Sequence, residues 1–221
     1  MSHGWVVERA RGDAATFHRR EVSVASARSL WLLHVSRPAV VLGSTQPIGA
    51  VDESMAAAHG IEVVRRRSGG SAVLVEPGRL VWADLVIGRD DPLWENDIGR
   101  SPWWVGELWV AALRNVGIEA VMHRGPMRRG EYGDRICFAG LGPGEVLVKG
   151  RKVVGLSQRR TREVARFQTA ALVQWDPSLL AALCAISPLG GETDPLLMAA
   201  ATGIDRTVAE LEDALVAVLP D

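Results

Sequence analysis

The sequence predicts an α+β fold: a mixed, largely antiparallel sheet packed with helices. Three observations carry that expectation. Most strand-like segments lie outside simple βαβ alternation, which argues against a doubly wound parallel sheet. Residues 144–157, "GEVLVKGRKVVGLS", read as a hairpin bending at Gly150, so at least two strands run antiparallel. The strongest helical segments, residues 101–117 and the stretch that follows Thr207, carry their own capping signals.

From the N-terminus, residues 27–35 (ARSLWLLHV) and 38–43 (PAVVLG) are short apolar, β-branched runs and read as strands. Residues 52–60 read as a short helix closed by Gly60. Residues 61–66 form a strand running into "RSGGSAV", and residues 80–87 form another. In the helix over 101–117, Ser101 is placed as N-cap and Pro102 at the first helical position; Trp104, Leu108 and Ala111 share a face and Gly117 ends it. Residues 119–123 read as a strand, 124–136 as a Gly- and Arg-rich loop, and 163–175 as a further strand region. Near the C-terminus Thr207 and Glu210 have capping-box spacing, and Val208, Leu211, Leu215 and Val218 form an apolar stripe.

At 221 residues, with 48% hydrophobic and 23% charged, the chain can bury a full core. A formal net charge of −1 supplies no overall basic field for nucleic acid. No apolar run reaches the roughly 18 residues of a membrane-spanning helix, so no membrane partner is expected. The charged N-terminus lacks the apolar core of a signal peptide. Two cysteines, Cys137 and Cys184, make no disulfide framework, so a reducing cytoplasm is the expected location. None of His3, His18, His34, His59 and His123 has metal-ligand spacing to another His, Cys or acid. No side-chain metal site is expected.

Two segments could carry chemistry. In "VVRRRSGGSAV" (63–73) consecutive glycines after a strand let backbone approach a ligand and permit positive φ, so N–H groups could converge on an anion; a tight turn is the alternative. In "VLVKGRKVVGLSQRR" (146–160) stand the chain's only lysines, Lys149 and Lys152; every other basic residue among the 25 Lys+Arg positions is arginine. A lysine ammonium is a compact charge that can contact a carbonyl or a phosphate in turn, which a planar guanidinium does less readily.

These segments together resemble the catalytic domain shared by lipoate–protein ligases, octanoyl transferases and biotin–protein ligases. "PAVVLGSTQ" (38–46) is similar to the family's first strand with its terminal glutamine, Gln46. "RRRSGGSAV" (65–73) is similar to the R-R-x-S-G-G-G-A-V signature, and "GRKVVGLSQRR" (150–160) to the G-[RK]-K-[IV]-x-G-[SA]-[AS]-Q-R stretch. "RFQTAALVQWDPSLLAAL" (166–183) also resembles family sequence. The resemblance implies that Lys152, followed by Gly155, contacts the acyl carbonyl and adenylate phosphate, where an ammonium stabilises growing negative charge. It implies a solvent-facing role for Lys149. It further implies that Arg66, Ser68, Gly69, Gly70 and Ser71 wrap the acyl-adenylate, with Glu145 and Arg159 beside it. The sequence departs from the pattern at three places: Ser71 replaces the third glycine, "LVEPG" (74–78) replaces a His-Asp, and Gly144 replaces the Asn before the acid.

Cys137 in "RICFAG" (135–140) stands fifteen residues before Lys152. One octanoyl transferase branch carries a nucleophilic cysteine in this loop. Positive charge from Arg135 and Lys152 would favour a thiolate able to hold a thioester; the alternative is a buried small hydrophobe. Cys184 in "LLAALCAI" is expected in the core. The resemblance thus implies an enzyme that passes lipoate or octanoate to a lysine of a lipoyl-domain protein. The favoured expectation is the ligase route, in which ATP and Mg²⁺ activate the acid as an acyl-adenylate; the transferase route is the alternative. Acyl carrier protein is the donor in the transferase route, through Cys137. A non-catalytic binder of an acyl group or nucleotide is a third class. Residues 1–185 would form the catalytic domain and 186–221 its short helical extension.

Overall fold

The computed structural model describes residues 4–26, 28–47 and 49–221. His3, and Ala27 at the start of the strand expected over 27–35, lie outside the described residues. Two sheets form the frame. The larger has seven strands, in the order β1 (Val6–Gly12), β2 (Ser29–Val35), β6 (Leu80–Gly88), β10 (Val164–Leu172), β9 (Arg151–Arg160), β8 (Val146–Val148) and β7 (Val121–Met122). All its neighbours are antiparallel except β1 and β2. The smaller sheet has the order β4 (Glu62–Arg65), β3 (Ala39–Leu42), β5 (Val73–Val75), with β3 parallel to β4 and antiparallel to β5. The mixed, largely antiparallel α+β expectation holds.

Alternation along the central strands creates two cores. Leu30, Leu32, Ala83, Leu85 and Phe167 face helices α3 (Trp103–Asn115) and α6 (Val208–Ala217). Trp31, Leu33, Trp82, Val86 and Leu172 face the opposite way, toward Val41 and Val75 of the small sheet and Phe17 of α1 (Ala14–Arg19). Because both faces are covered, all nine residues of β6 are buried and its sequence reads as a continuous run. The hairpin turns where expected: Lys149 (φ 49°) and Gly150 (φ 76°) both adopt positive φ, as a two-residue β-turn of this hand requires.

The α6 capping box between Thr207 and Glu210 forms as read. At α3 the cap differs. Pro102 occupies the N-cap position with no side-chain cap bond, and Ser101 Oγ instead donates to Gln158 Oε1 on β9. The buried face also differs: Val105, Leu108, Trp109, Ala112 and Leu113 are buried, whereas Trp104 and Ala111 are only half-buried. Gly106 sets this rotation, since a Cβ there would come within 2.3 Å of Gly144 O in the loop before β8. The strand expected over 119–123 is reduced to Val121–Met122. Strand β1, helix α1 and α4 (Ser178–Leu183) have no counterpart in the sequence reading, while α5 (Pro195–Ala200) falls in the expected helical extension. The segment after residue 185 is built into the main core through Leu211 and Leu215. No helix among the described residues is long and apolar enough to cross a membrane.

Candidate functional site

The two sheets flank a partly open pocket with about 460 Å³ of empty space, the solvent at its mouth included. Its floor is the large sheet, through Trp82, Gly155, Ser157, Gln168 and Ala170; its roof is Val41, Val73 and Val75 of the small sheet. Arg66, His18, Cys137 and Phe138 complete the wall. The lining is apolar along most of its length, with a few convergent polar groups, as a small-molecule site requires.

Cys137 opens a short 3₁₀ turn, Cys137–Ala139. It is half-buried and lines the cavity. Its position is fixed on both sides: its N–H donates to Ala72 O at 2.8 Å, and its carbonyl accepts from Lys152 Nζ at 2.8 Å. Lys152 is 2% exposed. Its ammonium also donates to Gly140 O at 2.9 Å and pairs with Glu145 Oε2 at 2.7 Å, so all three hydrogens are engaged. Glu145 accepts two more bonds, from Gly142 N at 2.6 Å and Leu156 N at 3.0 Å. The pair therefore rivets the Cys137 loop to β9 and does not itself line the cavity. Gly155 matters because a Cβ there would lie 3.2 Å from Phe138 Cζ and 3.5 Å from Lys152 Cε.

The glycine-loop residues divide. Arg66 lines the cavity, but its guanidinium donates to the carbonyls of Val41 (3.2 Å), Gly69 (2.9 and 3.1 Å) and Ser71 (2.9 Å), so it holds the loop in shape. Burial pushes its pKa below the usual arginine value, opposed by the nearby Cys137 and Glu145. Arg135 is exposed, so Arg66 is the guanidinium that shares the cavity wall with Cys137. Ser68 is buried and donates to Gln168 Oε1 at 2.8 Å. Ser71 Oγ turns away to Gly133 O. Gly69 and Gly70 are exposed and do not line the cavity, although Gly70 adopts the positive φ (100°) that only glycine takes easily. Arg159 lies on β9 two residues past Ser157, beyond the cavity lining. Gln46 is a brace: its Oε1 accepts from Gly43 N at 3.0 Å and its Nε2 donates to Arg135 O at 3.2 Å, joining the base of the glycine loop to the Cys137 loop.

His18 and Gln168 are cavity residues that the motifs did not reveal. Gln168 Nε2 lies 3.2 Å from His18 Nδ1, and Ser68 Oγ lies 3.0 Å from Ser157 Oγ, so a polar chain crosses one side of the cavity. Burial, with the charges of Arg166 and Arg66, pushes the His18 pKa down to about 3, and the imidazole is neutral. The only sequence signal was a lone histidine with no metal partner. Cys184 is buried as expected, and burial pushes its thiol up to about 11.

Residues 15–219 match the lipoyl protein ligase A/B catalytic domain. The chain belongs to that family. Among curated relatives, the octanoyltransferase LipM of Kyrpidia tusciae is 32% identical over 151 residues, which is 66% of this chain and 54% of that protein. Lipoate–protein ligase 1 of Staphylococcus aureus is 37% identical over 99 residues, 44% of this chain and 28% of that one. The chain spans about half the length, or less, of the curated relatives it matches. The fold is shared with the bi-partite lipoate protein ligase of Thermoplasma acidophilum (TM-score 0.67, 19% identity, covering 96% of this chain and 81% of that one). It is also shared with lipoate-protein ligase A bound with ATP (TM-score 0.61, 22% identity, 85% and 69%).

Within this lipoyl ligase fold, Lys152 and Glu145 as arranged are not free to hold ATP and Mg²⁺. A triphosphate needs cations with free donors; all three Lys152 hydrogens are committed to backbone carbonyls and Glu145, and Arg66 spends four of its five N–H groups on backbone carbonyls. Mg²⁺ needs a carboxylate, and Glu145 is occupied by Lys152 and two N–H groups.

Proposed function

We propose that this chain is a cytoplasmic acyltransferase. It takes an octanoyl group from acyl carrier protein as a thioester on Cys137 and passes it to a lysine of a lipoyl-domain protein. The observation that carries this reading is the placement of Cys137, a half-buried thiol on the wall of an apolar cavity with its backbone held at both N–H and C=O. The octanoyltransferase LipM relatives support it.

In the first step the Cys137 thiolate attacks the donor's thioester carbonyl. A new C–S bond forms, the donor's C–S bond breaks, and the carrier thiolate leaves and takes up a proton. Because thioester exchanges for thioester, little free energy is lost. In the second step the neutral amine of the acceptor lysine attacks. The amide forms, the Cys137 sulfur leaves, and the amine's proton returns to it. Lys152 acts as a positioning residue through the Cys137 and Gly140 carbonyls. The described chain would work as one catalytic unit, with the residues after 185 as its helical extension.

Intact mass of a lipoyl domain, after incubation with octanoyl-acyl carrier protein, tests the reading. Transfer without ATP, loss of transfer in Cys137→Ser, and an octanoyl adduct trapped on the unmodified protein are the expected results. Lipoyl-domain modification that requires ATP and free acid, and that survives Cys137→Ser, would instead establish the ligase route.

A further inference from the structure

We propose that the Trp82 indole is the end wall of the acyl cavity and limits the acyl chain to about eight carbons; this rests on the transferase reading for the identity of the ligand. A second space lies behind that wall. A solvent-open outer groove is lined by Leu33, His34, Leu80 and Glu212 among others, and among the described residues Trp82 alone lines both the groove and the cavity.

The strand register explains the arrangement. Gly155 on β9 pairs with Ala170 on β10, Ala170 pairs with Trp82 on β6, and Trp82 pairs with Leu33 on β2. Paired residues point to the same face of a sheet, so this row reads hydrogen, methyl, indole, isobutyl across four strands. The first two leave a trough and the third closes it. Cys137 and Phe138 lie at the Gly155 end, which places the thioester there. From β9 to β6 is two strand spacings, about 10 Å. An extended octanoyl chain, with seven C–C bonds of about 1.5 Å zigzagged at the tetrahedral angle, spans about 9 Å. A twelve-carbon chain would overrun the indole into the groove.

The wall is also stiff. The Trp82 Nε1–H donates to Asp84 Oδ1 at 2.9 Å, and Asp84 Oδ2 accepts from Arg166 Nε at 2.8 Å. His18 lies against the ring at 4.7 Å between centroids, and Phe17 meets it edge-on at 5.6 Å. Trp82 is 5% exposed.

The test is calorimetric binding of octanoyl- and dodecanoyl-pantetheine to the Cys137→Ser protein with Trp82 intact or replaced. With Trp82 present, octanoyl should bind at least tenfold tighter than dodecanoyl. In Trp82→Ala the preference should vanish or invert as the cavity opens into the groove, and Trp82→Leu, a smaller loss of core volume, should fall between. Equal binding of the two thioesters with Trp82 intact, no binding of either, or an unchanged ratio in a folded Trp82 variant would overturn the proposal. Because binding is read without the nucleophile, chain-length discrimination without any transfer by the unmodified protein would reject the transferase reading and leave the wall standing.

Discussion

Replacing Lys152 with alanine should destabilise the protein as well as stop transfer, and the two effects share one cause. Lys152 and Glu145 form a buried pair at 2.7 Å, with side chains 3% and 5% exposed. Deleting the ammonium strands the carboxylate with its two backbone N–H donors, and removes the donor for the Cys137 and Gly140 carbonyls. Breaking a buried pair by removing one partner costs about 3–5 kcal/mol. At roughly 2–4 °C per kcal/mol for a chain of this length, Tm should fall by about 10 °C. Urea unfolding of wild type, Lys152→Ala, Glu145→Gln and the double variant measures the coupling. The double variant should be more stable than Lys152→Ala, because its buried carboxylate is gone. Lys149→Ala, at an exposed turn position, is the control and should change stability by less than about 0.5 kcal/mol. A Lys152→Ala protein within 1 kcal/mol of wild type would refute the rivet, and its ammonium would then have to be free for substrate.

Gly70→Val should weaken acyl-thioester binding and cost about 1–3 kcal/mol of stability. Its φ of +100° is strained for a β-branched residue and its Cβ would sit 2.6 Å from Arg66 Nη2; retained affinity in calorimetry would mean that the loop does not shape the cavity through Arg66. His18 predicts a pH dependence. Its folded pKa of about 3 lies below the unfolded 6.5, so between these values the unfolded state binds the extra proton and stability falls as pH falls. Between pH 7 and pH 4.5 the loss should be about 2–3 kcal/mol. Denaturant midpoints over that range should flatten in His18→Gln, and an identical slope in the variant would discard the assignment.

The elements that the sequence made legible are those whose signal is local. The Lys149–Gly150 hairpin and the Thr207 capping box depend on neighbours within a few residues, and both formed as read. Cys137 and Gly155 were legible as motif positions, and both reach the cavity. The residues that escaped owe their role to register between distant segments. Trp82 and Gln168 are ordinary members of apolar strands until the register of β6, β10 and β9 sets Trp82 in line with Gly155 and Gln168 opposite Ser157, and His18 joins them from a helix about 150 residues earlier in the chain. Arg66, Gly69 and Gly70 looked like ligand contacts because a glycine loop beside arginines is also how an anion site is built. Here the guanidinium found its acceptors in the loop's own carbonyls, and the loop encloses Arg66 in place of an anion.

The engaged ammonium of Lys152 bears on a hazard particular to this chemistry. A thioester is attacked by any neutral amine that reaches it, and an enzyme storing one risks acylating itself. Arginine poses no such danger, because its guanidinium stays protonated. This chain carries two side-chain amines. One is held in three bonds beneath the Cys137 loop, and the other projects from the tip of the β8–β9 hairpin. On the transferase reading, a foreign lysine presented at the cavity mouth would therefore meet almost no internal competition for the acyl group.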